Sequence, residues 1–125
     1  IPYFFLPHKI NNNMILFQNV LALSEASKIA EHYKNDTETL FKNISNCSGD
    51  SFALKNHGLK SIIQDYFPNP AFSVRYAQKD LSYALEMANQ MGLSTPGSTT
   101  INNLFSKAID EGYGDLYFPV IKKIL

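Results

Sequence analysis

The sequence predicts an all-α domain of six or seven helices packed around one long N-terminal helix. Apolar residues recur at helical spacing along residues 10–33 and again along residues 74–91. No segment shows the alternation of apolar and polar residues that marks a half-buried strand. The 125 residues, of which 45% are hydrophobic, are enough for a single domain, residues 1–125, with a core of its own.

The first predicted helix spans residues 10–33 and follows a polar start. Apolar residues form a stripe and then widen it over most of the helix surface: Ile10, Met14, Phe17 and Leu21 in the stripe, with Ile15, Leu16, Val20, Leu23, Ala26, Ile29 and Ala30 beside it. A helix that is apolar nearly all round is either buried on several sides or shared with another domain or subunit. At its start, three consecutive asparagines are poor helix formers, because their side chains compete for backbone hydrogen bonds.

The middle of the chain predicts two further helices. Residues 35–38 (Asn-Asp-Thr-Glu) resemble a capping box that opens a second helix, and residues 45–51 are a loop by composition. Residues 52–67 are predicted to be helical with a break near Gly58. The two prolines within residues 67–72 predict an extended connector.

The C-terminal third predicts two longer helices and a short one. An amphipathic helix is expected at residues 74–91, with Gly92 as its C-cap. Residues 94–100 are expected to be a loop, in which a Ser or Thr caps a helix that runs to about residue 111 and stops at Gly112. Residues 115–125 can form a last short helix. The residues expected to face inward are Leu81, Ala84, Leu85, Ala88 and Met91 in the first of these helices, and Ile101, Leu104, Phe105, Ala108 and Ile109 in the second.

Charge and motifs argue against several classes of function. Eleven basic residues balance eleven acidic ones, so we expect neither a nucleic-acid partner nor an anionic membrane surface. No apolar run approaches the roughly 18 residues of a membrane span. The histidines lie far apart and no Cys-x-x-Cys pair occurs, so we expect no metal site. The sequence contains neither a P-loop nor a Gly-x-Gly-x-x-Gly turn.

Cysteine usage and the N-terminal residues bear on the compartment. Cys47 is the only cysteine, so no disulfide can form within the chain, which fits a reducing compartment. Residues 1–8 are apolar but lack the preceding basic residue and the small-residue cleavage site of a signal peptide. We therefore expect a cytoplasmic protein.

Four segments in order resemble the C-terminal helical domain of the β-hydroxyacid dehydrogenases, the family of 3-hydroxyisobutyrate dehydrogenase. They are HKINNNM at residues 8–14, SGDSFALKN at 48–56, FPNPAFSVRYAQKDLSYALEMANQMGLSTP at 67–96 and AIDEGYGDL at 108–116. The resemblance implies the C-terminal fold of 6-phosphogluconate dehydrogenase-like proteins and, usually, a homodimer. It also implies a preceding Rossmann domain that binds NAD or NADP. Because the chain matches only the helical part, we interpret it as a separate C-terminal domain from which the Rossmann domain is absent.

The resemblance assigns roles to five residues. Lys9 matches the catalytic lysine of the family and Asn13 its substrate-binding asparagine. Residues four apart share a helix face, so an ammonium and an amide would converge on one small substrate. Phe72 and Asp80 match residues at the substrate, and Lys79 matches a lysine near the nicotinamide end of the cofactor.

Ordinary structural roles are the alternative for the same residues. Lys9 would then be a surface lysine near a helix start, with the asparagines as a cap. Asp80 would be an acid in the first turn of its helix, where it suits the helix dipole. Phe72 would be part of the core. The sequence also departs from the family: glycines usually precede the lysine, whereas Tyr3 and Phe5 stand at those positions here.

The implied function is an NAD(P)-dependent oxidoreductase that acts on a short, 3-hydroxyisobutyrate-like β-hydroxy acid. In it, Lys9 would pass the hydroxyl proton while hydride leaves for the nicotinamide. This chain alone is expected to be inactive. The alternative is a helical dimerisation or partner-binding module without chemistry of its own. A Gly-x-Gly-x-x-Gly domain encoded directly upstream of Ile1 would distinguish the two.

Overall fold

A computed structural model describes the backbone of residues 5–125 and the side chains from residue 7 onward. It contains the α-helices α1 (Phe5–His32), α2 (Thr37–Ile44), α3 (Val74–Gln90) and α4 (Pro96–Asp110), together with a π-helix (Leu54–Ile62) and a 3₁₀ helix (Phe118–Ile124). Within this range no residue belongs to a strand, and the only ladder contact is an isolated bridge between Ser73 and Tyr117. The predicted all-α fold of six or seven helices is confirmed. Tyr3 and the rest of residues 1–4 lie outside the described part, so the expectations that concern them stay predictions.

Helix α1 lies at the centre of the bundle and contacts each of the other five helices of the described chain. Its Phe17 is fully buried and packs edge-on against three other aromatic rings. The ring centroids lie 5.9 Å from Phe72, 5.4 Å from Phe105 and 5.1 Å from Phe118. Since these rings come from the connector before α3, from α4 and from the 3₁₀ helix, one side chain of α1 joins three parts of the chain.

Burial along α1 is one-sided within this chain. Phe17, Val20 and Leu23 are buried, whereas Ile15 is 57% exposed and Ile29 is 62% exposed. The apolar surface all round α1 is therefore present, but the core of this chain covers only one side of it. For the exposed side, a surface shared with another domain or subunit stays the prediction.

The predicted helix break near Gly58 is wrong. The π-helix Leu54–Ile62 runs through Gly58, which packs directly against the ring of Phe41 from α2. A Cβ atom at residue 58 would lie 2.9 Å from Cε2 of Phe41. Glycine is required here because two helices approach closely, and no turn is involved.

The boundaries of α3 and α4 agree with the prediction at their C-terminal ends and differ at two other points. Gly92 and Gly112 follow the two helices with φ of +68° and +91°, the left-handed conformation of a glycine C-cap. Met91 is 74% exposed and does not face inward, because α3 ends one residue before it. Helix α4 begins at Pro96, so most of the predicted loop is helical, since proline suits the first helical position. Thr95 occupies the N-cap, but its side chain makes no capping hydrogen bond.

Helix α2 forms where the capping signal predicts a helix, but its N-cap is Asp36 and not Asn35, the first residue of the predicted capping box. The carboxylate of Asp36 accepts hydrogen bonds from the backbone N–H groups of Glu38 and Thr39. The hydroxyl of Thr39 also donates to this carboxylate at 2.8 Å, and that hydrogen bond, together with those from the backbone, lowers the pKa of Asp36 below its ordinary value. The predicted last short helix is present as the 3₁₀ helix.

A buried lysine fixes the C-terminal helix to the rest of the bundle. The Nζ atom of Lys122 lies 2.8 Å from a carboxylate oxygen of Glu31 and 3.1 Å from one of Asp65, and it donates to the carbonyl oxygen of Ile62 at 2.9 Å. Only 4% of Lys122 is exposed. The 3₁₀ helix is therefore tied to the ends of α1 and of the π-helix by a fully used ammonium group.

None of the helices in residues 5–125 combines the length and the apolar character that crossing a membrane requires.

Candidate functional site

Lys9 and Asn13 lie on the face of α1 that points toward the core farther along the helix. Asn13 is followed at steps of four, three and four residues by Phe17, Val20 and Ser24, which places them on one helix face. Phe17, Val20 and Ser24 are all buried. At the N-terminal end of the same stripe, Lys9 is exposed and Asn13 is half-buried. The core-facing stripe thus ends in two polar side chains, Lys9 and Asn13, which the other helices of the described chain do not fully cover.

Asn13 is joined directly to Asp80. Its amide nitrogen Nδ2 donates a hydrogen bond of 2.8 Å to Oδ2 of Asp80. This bond links the first turns of α1 to α3 across 67 residues of sequence. The amide oxygen Oδ1 of Asn13 accepts a longer bond of 3.3 Å from the exposed amide of Asn12. Two residues that the family resemblance singled out in separate motifs therefore meet in the structure.

Asp80 does not occupy the first turn of its helix. Helix α3 begins at Val74, and Ser73 caps it by accepting a hydrogen bond from the backbone N–H of Tyr76. Asp80 consequently lies beyond the reach of the dipole effect, which is confined to the first turn. The alternative reading of Asp80 as a first-turn acid is wrong, and its observed partner is Asn13.

Phe72 and Lys79 both lie shortly before Asp80 in the chain. Phe72 is half-buried and packs edge-on against Phe17, Tyr76 and Phe118, at centroid distances of 5.9, 5.5 and 5.4 Å. Phe72 therefore packs as part of the core, and the rest of its ring is exposed. The side chain of Lys79 is exposed and, like that of Lys9, forms no hydrogen bond or ion pair within the described part of the chain.

A cleft that sequence reasoning missed adjoins the site residues along both helices. It has a volume of about 310 Å³ and lies between the N-terminal part of α1 and the C-terminal part of α3. Most of its lining is apolar, with three methionines: Pro7, Ile10, Asn11, Met14, Ala84, Met87, Ala88, Met91, Leu93 and Thr95. Methionine adapts its shape to irregular contacts, so the methionines at residues 87 and 91 were the available signal.

His57 is a buried polar residue outside the Asn13–Asp80 contact. It stacks on Tyr117 with the ring centroids 6.0 Å apart, and its Nδ1 atom finds no hydrogen-bond partner among the described residues. Burial lowers the pKa of His57 below its ordinary value, and it raises the pKa of the half-buried Tyr117. The phenol ring of Tyr117 thus covers one face of the imidazole.

The resemblance implies a nicotinamide cofactor, and three of the residues that it selects are at least partly accessible in the described structure. The exposed ammonium groups of Lys9 and Lys79 and the partly open ring of Phe72 suit a charged, planar ligand. Residues 5–125 contain no strand, so they do not form the strand-to-helix turn that holds a dinucleotide pyrophosphate. No group of three or more His, Cys, Asp or Glu side chains in the described part is arranged to hold a metal ion.

Comparison with known proteins gives a family and several relatives. A family model described as "NAD-binding of NADP-dependent 3-hydroxyisobutyrate dehydrogenase" matches residues 7–122. The chain is 30% identical over 108 residues to 2-hydroxy-3-oxopropionate reductase of Escherichia coli (strain K12), covering 86% of this chain and 36% of the relative. It is 29% identical over 113 residues to glyoxylate/succinic semialdehyde reductase 1 of Arabidopsis thaliana, covering 90% and 38%. The chain thus spans little more than a third of the length of these curated relatives.

Two solved structures share the fold. The 3-hydroxyisobutyrate dehydrogenase from Salmonella typhimurium superposes with a TM-score of 0.85 at 23% identity, covering 95% of this chain and 41% of that one. The Mycobacterium tuberculosis 3-hydroxyisobutyrate dehydrogenase with L-serine gives 0.81 at 23% identity, covering 94% and 42%. At this level of identity the likeness bears on the fold alone.

Proposed function

Because this chain belongs to the 3-hydroxyisobutyrate dehydrogenase family of β-hydroxyacid dehydrogenases, we propose that it is the substrate-binding and catalytic-lysine domain of an NAD(P)-dependent oxidoreductase acting on a short β-hydroxy acid. The contact between Asn13 and Asp80, one turn from Lys9, carries the proposal. It brings together polar groups from two distant segments at an open end of the core. The two reported relatives are named for 2-hydroxy-3-oxopropionate, glyoxylate and succinic semialdehyde, and a further relative at 24% identity is named for L-threonate; all four are small carboxylic acids.

Lys9 is the proposed proton-transfer group. NAD(P), when bound, takes up or delivers the hydride at its nicotinamide ring. In the oxidation direction the neutral amine of Lys9 accepts the proton of the substrate hydroxyl as the C–H bond loses its hydride. In the reduction direction the ammonium returns that proton to the developing alkoxide. Asn13 holds the substrate beside Lys9, Phe72 and Asp80 complete the substrate side of the site, and Lys79 faces the cofactor.

The other half of the site would come from a Rossmann domain of the same parent protein. The open polar end of the core stripe and the partial coverage of the relatives support this arrangement. We also propose a homodimer in which the exposed apolar side of α1 is covered. Cys47 is exposed as a free thiol, which supports a reducing compartment such as the cytoplasm.

A second candidate is a helical dimerisation or partner-binding module without chemistry. The exposed apolar side chains of Ile15, Ile29 and Phe52 favour it, because they offer contact area away from the Asn13–Asp80 pair. For this chain by itself the two candidates differ only in what precedes it in the parent protein.

The test begins with the coding sequence upstream of Ile1, where the proposed function requires a Gly-x-Gly-x-x-Gly domain. The parent protein is then assayed with 3-hydroxyisobutyrate, 3-hydroxypropionate and L-threonate, each with NAD and with NADP. Oxidation of at least one acid with one cofactor supports the enzyme. A two-domain protein that oxidises none of them, and does not reduce the corresponding aldehydes, contradicts it and favours the partner-binding module.

A further inference from the structure

Two segments that are distant in the sequence pair along their backbones at the start of α3. Residues 68–75 and residues 114–118 run antiparallel and meet at the bridge between Ser73 and Tyr117. Four backbone hydrogen bonds of 2.8–3.1 Å join the two segments. The N–H groups of Val74, Arg75, Tyr117 and Phe118 donate them to the carbonyl oxygens of Leu116, Gly114, Pro68 and Phe72, respectively. The residues that lead into α3 are therefore fixed to the C-terminal segment of the chain.

Phe72, which lies in the first of these segments, is contacted by Phe118 in two ways. The N–H group of Phe118 donates a hydrogen bond of 2.8 Å to the carbonyl oxygen of Phe72, the shortest of the four. The two rings pack edge-on with their centroids 5.4 Å apart, and the ring of Phe118 is fully buried. One residue thus holds both the backbone and the ring of Phe72.

Phe17 completes the support behind Phe72. Its ring lies 5.9 Å from that of Phe72 and 5.1 Å from that of Phe118, centroid to centroid, so each of the three rings contacts the other two. Phe17 and Phe118 are fully buried, whereas Phe72 is half-buried. Since Phe17 follows Asn13 by one turn on the same helix face, Phe72 packs one turn of α1 away from the Asn13–Asp80 contact.

The two buried rings decide where the ring of Phe72 lies. A half-buried side chain has packing partners on one side only, and a closely packed core passes a displacement on to its neighbours. If the side chain of Phe118 were smaller, the ring of Phe72 would move part of the way into the vacated space, and less of it would remain exposed.

We infer that Phe118 is a positioning residue, which holds the ring of Phe72 where it contacts the carbon chain of the substrate. Phe118 is fully buried, so it acts only through Phe72. The contact through Phe72 is apolar, so the single proton of the substrate hydroxyl stays available to Lys9. This inference rests on the proposed function. It also gives a role to the end of the AIDEGYGDL segment, because the carbonyl oxygens of Gly114 and Leu116 accept the hydrogen bonds that hold the start of α3 beside Phe118.

Proton NMR of the chain tests the position of the ring without any activity. The exposed ring of Tyr76 lies 5.5 Å from that of Phe72, so nuclear Overhauser effects between these two rings report on Phe72. Phe105→Leu is the matched control, because Phe105 is also fully buried and packs on Phe17, at 5.4 Å, but forms no ring pair with Phe72 in the described structure. We expect Phe118→Leu to weaken these effects and Phe105→Leu to preserve them. Unchanged effects in Phe118→Leu would show that Phe118 does not position the ring, and the inference would be wrong.

Kinetics of the parent protein test the consequence for the substrate. KM does not depend on the fraction of the enzyme that is folded, so a loss of stability alone leaves it unchanged. We expect Phe118→Leu to raise the KM for the hydroxy acid about tenfold, the lower end of the effect of one lost methylene contact in an apolar pocket, and to leave the KM for the cofactor unchanged. Phe105→Leu should leave both KM values unchanged. An unchanged KM in Phe118→Leu, or an equal rise in Phe105→Leu, would overturn the inference.

A double variant shows whether Phe118 acts through Phe72. Phe72→Leu should raise the KM for the hydroxy acid by itself, and Phe72→Leu/Phe118→Leu should be no worse than Phe72→Leu. Effects that multiply would contradict the inference, because Phe118 would then act on the substrate by another route. Phe118→Met keeps most of the side-chain volume without the ring, and it replaces Phe118→Leu, with the same expected results, if that variant does not fold. Failure of this inference leaves turnover by the wild-type protein intact, whereas failure of the proposed function abolishes it.

Discussion

Lys9 projects from the open end of the α1 stripe, where its ammonium is exposed. Replacing a general acid–base group usually lowers the chemical step by two to four powers of ten. We expect Lys9→Ala in the parent enzyme to lower kcat at least about a hundredfold, with an unchanged melting temperature, because an exposed lysine contributes little to stability. Lys28→Ala is the control, since Lys28 is also exposed on α1. Near-normal turnover of Lys9→Ala would show that Lys9 is a surface residue without a role in proton transfer.

The lowered pKa of His57 predicts that the stability of the domain depends on pH. Burial holds the folded-state pKa below the ordinary value of 6.5, so the unfolded chain binds the proton more readily. We therefore expect no loss of stability from His57 above pH 6.5, and a progressive loss as the pH falls from 6.5 toward its folded-state pKa.

The prediction is checked by urea unfolding at pH 7.5 and at pH 5.5. We expect His57→Phe to reduce the difference in the free energy of unfolding between these pH values. His32→Phe is the matched control and should leave the difference unchanged, because His32 is exposed. An unchanged difference in His57→Phe would mean that His57 titrates normally in the folded state.

At the scale of elements, the π-helix depends on the glycine that it packs against α2. A methyl group at residue 58 would press on the ring of Phe41, and overpacking of a core usually costs about 1–3 kcal/mol. We expect Gly58→Ala to lower the free energy of unfolding by about that amount. The double variant Gly58→Ala/Phe41→Leu should recover part of the loss that each change causes alone. Strictly additive losses would show that the two sites do not contact each other.

Most helices of this fold could be predicted from the sequence, because their signals are local. The apolar spacing of α3 and the glycine at residue 92 are readable without tertiary information. The helix within residues 52–67 was predicted as well, but its continuity was not, since glycine at residue 58 reads as a helix breaker until the ring of Phe41 is placed beside it. Lys122 likewise reads as a surface residue, and only the fold brings Glu31 and Asp65 to it.

The candidate site was predictable to a smaller extent. The resemblance selected Asn13 and Asp80, but neither their direct contact nor the orientation of the amide follows from residue types. The apolar cleft beside them was missed as well, because its walls come from α1 and α3. Contacts between distant segments depend on packing, which a single sequence does not display.

At the scale of the whole molecule, the proposed function gives this chain one wall of a cofactor site and assigns the rest to another domain. Much of the affinity for a dinucleotide comes from backbone N–H groups at a glycine-rich helix start, and the sequence contains no such turn. We expect calorimetric titration of the chain with NAD or NADP to show at most weak binding. The parent protein with its upstream domain is the control and should bind one of them. Micromolar binding of NAD or NADP to this chain alone would contradict the expectation that the upstream domain supplies most of the cofactor affinity.

The exposed apolar side of α1 predicts self-association. Ile15 is 57% exposed and lies with Leu16 in a cleft of about 300 Å³ whose other wall includes Phe52, which is 74% exposed. Each large apolar side chain left in water forgoes roughly 1.5–3 kcal/mol of burial energy, so covering this cleft by a second copy is favourable. A two-fold dimer buries the same patch of both copies at once.

We expect light scattering over a concentration series to show a dimer in the wild-type chain and a monomer in Ile15→Glu/Phe52→Ser. Met91→Ser is the control, because Met91 is equally exposed but lies at the end of α3, and it should remain dimeric. A wild-type chain that stays monomeric throughout the series would show that the α1 surface does not bind a second copy of this chain.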